Sequence, residues 1–164
     1  MGGSITINSM LGFGTEFIFT LPYEKGASDV SDHKAVIADK KYNWSNKTIL
    51  LVEDDTHSSD LLKAMLLPAG ANIITAVSGY EALSIFKKNK KIDIVLIDYK
   101  LPDIDGCEVA KNIRKNDRYI PLIAQTAFAT AEDKKRCMNA GFNFFVSKPV
   151  NRDLLLNMIN NYLV

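Results

Sequence analysis

The stretch Ile94-Val95-Leu96-Ile97-Asp98-Tyr99-Lys100-Leu101-Pro102-Asp103-Ile104-Asp105-Gly106 decides the fold of this chain. Its four leading apolar residues, three of them Ile or Val, are typical of a strand that is buried on both faces. The strand ends on the carboxylate of Asp98, and Pro102 with Asp105-Gly106 predicts a turn directly afterwards. Because burying an unpaired charge costs too much free energy, that carboxylate must point into a crevice. Asp98 is therefore the first candidate functional residue.

The composition is that of an ordinary globular chain. Of its 164 residues 47% are hydrophobic, and a net charge of +1 gives no indication of a nucleic-acid or membrane surface. No apolar run approaches the ~20 residues of a membrane helix, and no signal peptide opens the chain. Cys107 and Cys137 fall in predicted helices without metal-like spacing, so we interpret them as reduced core thiols of a cytoplasmic protein. His33 and His57 are isolated and support neither a metal site nor a catalytic one.

Residues 1–24 predict a β-hairpin without a core of its own. Ser4–Asn8 alternates polar and apolar residues, and Glu16–Pro22 is a second β-like run beyond a glycine-rich turn. A lone hairpin is marginally stable in water, so this one looks like the end of a domain. Its apolar side chains should be disordered, pack on the following domain or pair between chains to give a dimer. Residues 25–46 predict a linker, at whose end Trp44 packs onto the next domain.

From Lys47 onward, five short apolar strands alternate with five amphipathic helices. The strands are predicted at 48–52, 73–77, 94–98, 120–125 and 144–146. The inward faces predicted for the first, second, third and fifth helices are Leu61, Leu62, Met65 and Leu66; Ala82, Leu83 and Phe86; Val109, Ala110 and Ile113; and Leu154, Leu155, Met158, Ile159 and Tyr162. This alternation specifies a parallel sheet covered on both faces, whose winding reverses once.

The carboxyl ends of these strands carry the informative polar residues. Glu53 and Asp54 follow the first strand, Asp98 ends the third, and Thr126 and Lys148 follow the fourth and fifth. Ligands of such sheets bind beyond these strand ends, where the winding reverses. Carboxylates that converge at one rim repel by ~4 kcal/mol per pair at about 4 Å, and Mg²⁺ with its oxygen ligands removes that cost. A cation beside a carboxylate and a lysine indicates a site for a phosphoryl group, which the carboxylate attacks in line.

Other interpretations of this rim stay open at this point. It could be a salt-bridged edge without chemistry, a binding module that has lost phosphorylation, or a phosphatase with an aspartyl nucleophile on a similar sheet. The phosphatase requires a second carboxylate two residues after the nucleophile, where this chain has Lys100. The lysine cluster at 87–91 is interpreted as a match to the negative end of a helix dipole rather than as a nucleic-acid patch.

Five motifs, taken in order over residues 47–164, resemble those of response-regulator receiver domains. They are Val52-Glu53-Asp54, Leu96-Ile97-Asp98, Leu101-Pro102 with Asp105-Gly106, Gln125-Thr126-Ala127 and Ser147-Lys148-Pro149. The resemblance implies an α/β fold, a doubly wound five-stranded parallel sheet of flavodoxin-like order 2-1-3-4-5. It also implies that Asp98 accepts phosphate from a phosphohistidine. Asp54, Asp98 and the backbone carbonyl of Lys100 would bind Mg²⁺, with Glu53 acting through a metal-bound water.

The same resemblance assigns roles around the phosphoryl group. Thr126 and Lys148 would bind its oxygens, Phe145 takes the aromatic switch position, and a cis peptide joins Lys148 to Pro149. Phe145 lacks the hydroxyl of a tyrosine, which puts in question any readout through that hydroxyl. Lys100 and Phe128 lie beside the path of a hydrolytic water, and we hypothesise that they change the lifetime of the aspartyl phosphate.

The N-terminal hairpin resembles the last segment of the ATP-binding domain of sensor histidine kinases. The resemblance rests on Met1-Gly2-Gly3-Ser4-Ile5, Gly12-Phe13-Gly14-Thr15-Glu16-Phe17 and Leu21-Pro22. It implies a hybrid histidine kinase, with a kinase remnant (1–24), a linker (25–46) and a receiver domain (47–164). That family's phosphoacceptor histidine region and Asn-bearing helix are missing here, so ATP binding by this chain is not expected. The implied partner is the parent's phosphodonor domain or a His-containing phosphotransfer domain, with no nucleic acid, and any membrane anchor lies upstream.

Overall fold

The computed structural model describes residues 2–22, 42–89, 91–127 and 131–163. Phe128 and most of the predicted linker lie outside these ranges. Every helix in the described ranges is too short or too polar to cross a membrane.

Residues 2–22 form the predicted antiparallel hairpin, which consists of β1 (Ser4–Met10) and β2 (Gly14–Thr20). Its turn needs glycine, because Gly12 and Gly14 adopt φ values of 82° and 112°. Cross-strand pairing places four exposed apolar side chains on one face: Ile5, Ile7, Phe17 and Phe19. The opposite face is mostly polar.

The other unit is a five-stranded parallel sheet with helices on both sides, as predicted. The strands are β3 (Thr48–Val52), β4 (Asn72–Ala76), β5 (Ile94–Asp98), β6 (Leu122–Thr126) and β7 (Phe144–Ser147). The helices are α1 (Thr56–Leu66), α2 (Gly79–Lys88), α3 (Gly106–Asn116), α4 (Ala131–Ala140) and α5 (Arg152–Leu163). The spatial order β4-β3-β5-β6-β7 is the predicted order 2-1-3-4-5, so the doubly wound fold is confirmed.

Alternate side chains of the strands build two apolar cores, one on each face of the sheet. Helices α2, α3 and α4 pack on one face, while α1 and α5 pack on the other. Trp44 is only 1% exposed and belongs to the α1–α5 core, which confirms that it packs onto this domain. Cys107 and Cys137 are buried thiols in the opposite core. Burial raises the pKa of Cys107 to about 12.

Two predicted helix faces are wrong in part. Leu61 is 55% exposed, and Leu154 and Tyr162 are 48% and 36% exposed. Helix α5 instead buries Leu155, Leu156, Ile159 and Leu163. Adjacent leucines leave the rotation of a helix undetermined by periodicity alone, and the contact with the sheet decides which of them turns inward.

Three strands differ slightly from their predicted bounds, and the smallest difference is that β7 extends one residue further, to Ser147. Strand β4 starts and ends one residue earlier than predicted. Strand β6 starts only at Leu122, because Pro121 has no N–H to donate to a ladder, and it extends to include Thr126. Thr126 is therefore held by the sheet itself rather than by the loop that follows.

Candidate functional site

The predicted site residues meet at the carboxyl end of the sheet. Glu53 and Asp54 follow β3, Asp98 is the last residue of β5, and Lys148 follows β7. One carboxylate oxygen from each of Glu53, Asp54 and Asp98 lies within 4.8 Å of the other two. Glu53 and Asp98 are buried, whereas Asp54 is exposed, so the acidic cluster opens to solvent on one side.

One ammonium group holds the two buried carboxylates. Lys148 Nζ donates to Asp98 Oδ2 at 2.6 Å and to Glu53 Oε2 at 2.8 Å. Burial lowers the pKa of Lys148, but its bonds to Asp98 and Glu53 outweigh that effect, so the pKa rises above 10.5. Burial raises the pKa of Glu53, the Lys148 bond lowers it and the charge of Asp98 raises it again, with a net increase above 4.5. A single cation thus neutralises the three carboxylates incompletely, which favours the binding of another cation.

The second oxygen of Asp98 is also occupied. Its Oδ1 accepts a hydrogen bond from the backbone N–H of Lys100 at 3.0 Å, so the carboxylate is fixed at both ends. A cavity of about 130 Å³ opens beside it and is lined by Asp98, Tyr99, Lys100, Thr126, Ala127 and Lys148. Thr126 is 4% exposed, and the peptide between Lys148 and Pro149 is cis, as the motif resemblance implies.

Phe145 lies behind this rim rather than in it. It is a partly buried residue of β7, pairs with Ala124 of β6 and packs against the core on the α2–α4 face. It therefore lies one position before Gln125 and two positions before Thr126 along the sheet, on the side where α4 covers it. Phe128, the other predicted neighbour of the site, lies outside the described residues.

Sequence reasoning missed the residue that anchors the loop after β5. Asp103 accepts the backbone N–H of Gly79 on Oδ1 and that of Tyr80 on Oδ2, both at 2.8 Å. These are the first two amides of α2, so a loop carboxylate caps a helix that is distant in the sequence. The loop that carries Lys100 is thereby tied to α2. In the sequence, Asp103 is simply one aspartate within a segment already interpreted as a turn, so its capping role could not be inferred.

We expect Asp103→Asn to make stability less dependent on pH below 4. Desolvation raises the pKa of Asp103, but the amides of Tyr80 and Gly79 outweigh it and lower the pKa to about 2. A depressed carboxyl pKa contributes stability that is present above the unfolded value of 3.8 and is lost as the pH falls towards 2. Asp103 is exposed, so the loss at pH 7 should be only about 1 kcal/mol.

Urea unfolding of both proteins between pH 7 and pH 2 measures this difference. It should shrink steadily over the window from pH 4 to pH 2. A difference that stays constant down to pH 2 contradicts the assignment of the capping role to the ionised carboxylate. Asp60→Asn, at an exposed ion pair with Lys63 in α1, serves as the control and should change little.

Comparisons with known proteins agree on one family. The family model described as the response regulator receiver domain matches residues 49–160. The polar-differentiation response regulator DivK of Brucella anthropi is 33% identical over 119 residues, which cover 71% of this chain and 96% of DivK.

Solved structures show the same likeness. The receiver domain of a sensor histidine kinase from Pseudomonas aeruginosa PAO1, with magnesium coordinated in its active-site cleft, is 32% identical with a TM-score of 0.67. The match covers 72% of this chain and 98% of that one. The receiver domain of Saccharomyces cerevisiae Ssk1, solved with the histidine phosphotransfer protein Ypd1, gives 26% identity and a TM-score of 0.67, covering 71% and 88%. Fold, motif positions and relatives together establish that this chain belongs to the response-regulator receiver domain family.

Proposed function

We propose that Asp98 accepts a phosphoryl group from a phosphohistidine, with Mg²⁺, and that the phosphorylated domain switches a protein-interaction surface. The observation that carries the proposal is the set of contacts around Asp98. Its carboxylate lies at the tip of a buried strand, 2.6 Å from an ammonium and beside two further carboxylates. An oxygen nucleophile, an oxygen-lined cation site and a cationic group for phosphate are what in-line phosphoryl transfer to a carboxylate requires.

The donor atoms at the rim fit magnesium. Carboxylate oxygens are the ligands that a hard divalent cation prefers, and few protein ligands suit Mg²⁺ because it keeps several waters. We assign Asp54, Asp98 and the backbone carbonyl of Lys100 as its ligands, with Glu53 acting through a bound water. When bound, the ion would neutralise charge on the carboxylates and on the transferred phosphoryl oxygens.

The transfer then proceeds through residues of this chain. A carboxylate oxygen of Asp98 forms a bond to phosphorus while the bond from phosphorus to the donor histidine nitrogen breaks, and the imidazole leaves with that electron pair. Lys148 exchanges its bond to Asp98 Oδ2 for one to a phosphoryl oxygen, and the hydroxyl of Thr126 binds another. Because Thr126 belongs to β6 and Phe145 to β7, movement at the phosphate reaches the surface formed near these strands.

The phosphodonor follows from the same chemistry. We propose a histidine kinase domain of the parent protein, or a His-containing phosphotransfer domain such as the one solved with Ssk1, and no nucleic acid. We propose a cytoplasmic location, which suits a donor histidine that is itself phosphorylated from ATP.

The hairpin supports a wider context. We propose that residues 1–24 are the end of a histidine-kinase ATP-binding domain, followed by a linker to a receiver domain at 47–164. The hairpin has one apolar face and one mostly polar face, which is typical of an antiparallel sheet that packs one side against a larger domain. The parent would then be a hybrid histidine kinase, most of whose catalytic parts lie outside this chain.

Incubation with a small phosphodonor such as acetyl phosphate and Mg²⁺, followed by intact mass measurement, tests the central step. We expect one phosphoryl adduct on the parent protein, none on Asp98→Asn and an unchanged adduct on Asp60→Asn, which alters an exposed carboxylate of α1. Continuous turnover of the donor without an adduct would support the phosphatase instead. No reaction at all would support a binding module that is not phosphorylated.

A further inference from the structure

A second cavity lies on the α1–α5 side of the sheet. Its volume is about 220 Å³, and its walls are mainly apolar, formed by Leu61 and Leu62 of α1 with Pro149 and Val150 of the segment before α5, while Ser58 and Lys148 also line it. Gln125 of β6 lines it from the sheet. Leu61, whose side chain was predicted to be buried, is about half exposed and lines this cavity.

The side chain of Gln125 is unusual because it is a fully buried amide without a partner among the residues that the structure describes. Ile123 packs into the α1–α5 core and Ala124 into the opposite core, so strand alternation turns Gln125 towards α1 and α5, where the cavity lies. The residue is 0% exposed, and within the described part of the chain neither its Nε2 nor its Oε1 has a hydrogen-bond partner. Buried amides are normally paired, because desolvating them without a partner is unfavourable.

The chemistry of these groups defines the ligand. A primary amide presents one donor and one acceptor side by side, which are matched by a cis amide that offers a carbonyl and an N–H in the same plane. Apolar walls disfavour a charged ligand, since it would lose its hydration without compensation, and the ammonium of Lys148 is already bound to Glu53 and Asp98. The volume is below the range of about 300–1,000 Å³ typical of sites for drug-sized molecules, so the ligand should be a single ring.

Both polar atoms of the Gln125 amide are buried, so a ligand in the cavity must be able to reach them. The terminal torsion of glutamine is broad and soft, so the amide plane can turn towards the cavity at little cost. We propose that this cavity is a binding site for a small neutral lactam-like ligand, whose amide pairs with Gln125 and whose ring packs against Leu61, Pro149 and Val150. The inference does not depend on the phosphorylation of Asp98.

Titration of the full chain with 2-pyridone, followed by ¹H–¹⁵N NMR, tests the proposal. The backbone signals of α1, of Gln125 and of the segment 149–150 should shift together and saturate. N-methyl-2-pyridone has nearly the same shape but no N–H, and it should bind about tenfold more weakly, as expected for the loss of one buried hydrogen bond.

Two variants distinguish the contribution of the Gln125 amide to binding from that of the cavity itself. Gln125→Met replaces an unpaired amide by an apolar side chain of similar length, so it should fold at least as stably and lose the preference for 2-pyridone. Ser58→Leu fills the cavity from α1 and leaves Gln125 in place, and it should abolish the binding of both probes. Equal affinities for the two probes in the parent protein, or shifts that map away from this cavity, overturn the proposal. Neither result would bear on the proposed phosphorylation of Asp98, which is tested separately by adduct formation with acetyl phosphate.

Discussion

Lys148→Met is expected to lower the free energy of unfolding by about 3 kcal/mol in magnesium-free buffer at pH 7. The change leaves Glu53 and Asp98, whose side chains are only 1% and 11% exposed, without their shared ammonium. Two neighbouring buried carboxylates then repel each other, and neither keeps a cationic partner. Magnesium should stabilise this variant more than it stabilises the parent protein, because the ion replaces the missing positive charge.

Chemical denaturation with and without Mg²⁺ measures both effects. Lys111→Met is the matched control: it removes an exposed lysine 3.7 Å from Glu108 and should change stability by less than about 0.5 kcal/mol. Equal losses in the two variants would show that the Lys148 bonds contribute no more than a surface ion pair. Because the folded pKa of Lys148 is raised, its contribution is fully present below pH 10.5 and is lost as the pH rises through the folded value.

Gly106→Ala is expected to destabilise the domain by about 2–3 kcal/mol, although alanine is normally the better helix former. A Cβ on Gly106 would overlap the carbonyl oxygen of Asp98 and lie 3.1 Å from Cα of Tyr99. Both contacts are with backbone, which cannot move aside as a flexible side chain does. The variant must push α3 away from the tip of β5, so the uptake of phosphate by Asp98 should slow as well.

Thermal unfolding and the rate of adduct formation with acetyl phosphate measure these two effects. Ser84→Ala, on the exposed face of α2, places the same alanine side chain at a helix position that already carries a Cβ, so it causes no clash and should leave both unchanged. A stable Gly106→Ala protein with normal reactivity would mean that the loop after β5 tolerates a wider separation from α3.

Much of the site was predictable because it depends on strand ends. The buried runs that end at Val52 and Asp98 determine which side chains stand at the rim, and parallel strands bring those ends to one edge. The ends of strands do not reveal which side of a helix faces the sheet, or which distant residue caps a helix. Leu61 and Leu154 lie next to other leucines, so only the contact with the sheet decides which of them is buried. Asp103 reaches α2 through the folded loop alone.

Buried polar groups were the other omission. Arg114, in the last turn of α3, looks in the sequence like an exposed basic residue. Its guanidinium instead donates to the carbonyl oxygens of Gly141 and Ile120 at 2.9 and 2.7 Å and to the side chain of Asn143 at 2.8 Å. Gln125 stands directly before Thr126 in one of the five motifs, but the motif resemblance assigns a role only to Thr126. In both cases the local sequence permits a surface residue, and the tertiary fold covers it, partly for Arg114 and completely for Gln125.

A crystal structure of this chain with Mg²⁺ and fluoroberyllate, a mimic of the phosphoryl group, tests the central claim most directly. The account predicts beryllium bonded to a carboxylate oxygen of Asp98, Lys148 Nζ moved from that carboxylate onto a fluorine, the Thr126 hydroxyl on another fluorine, and magnesium held by Asp54, Asp98 and the Lys100 carbonyl. Fluoroberyllate absent from Asp98, with Lys148 still bridging Asp98 and Glu53 as it does now, would contradict it.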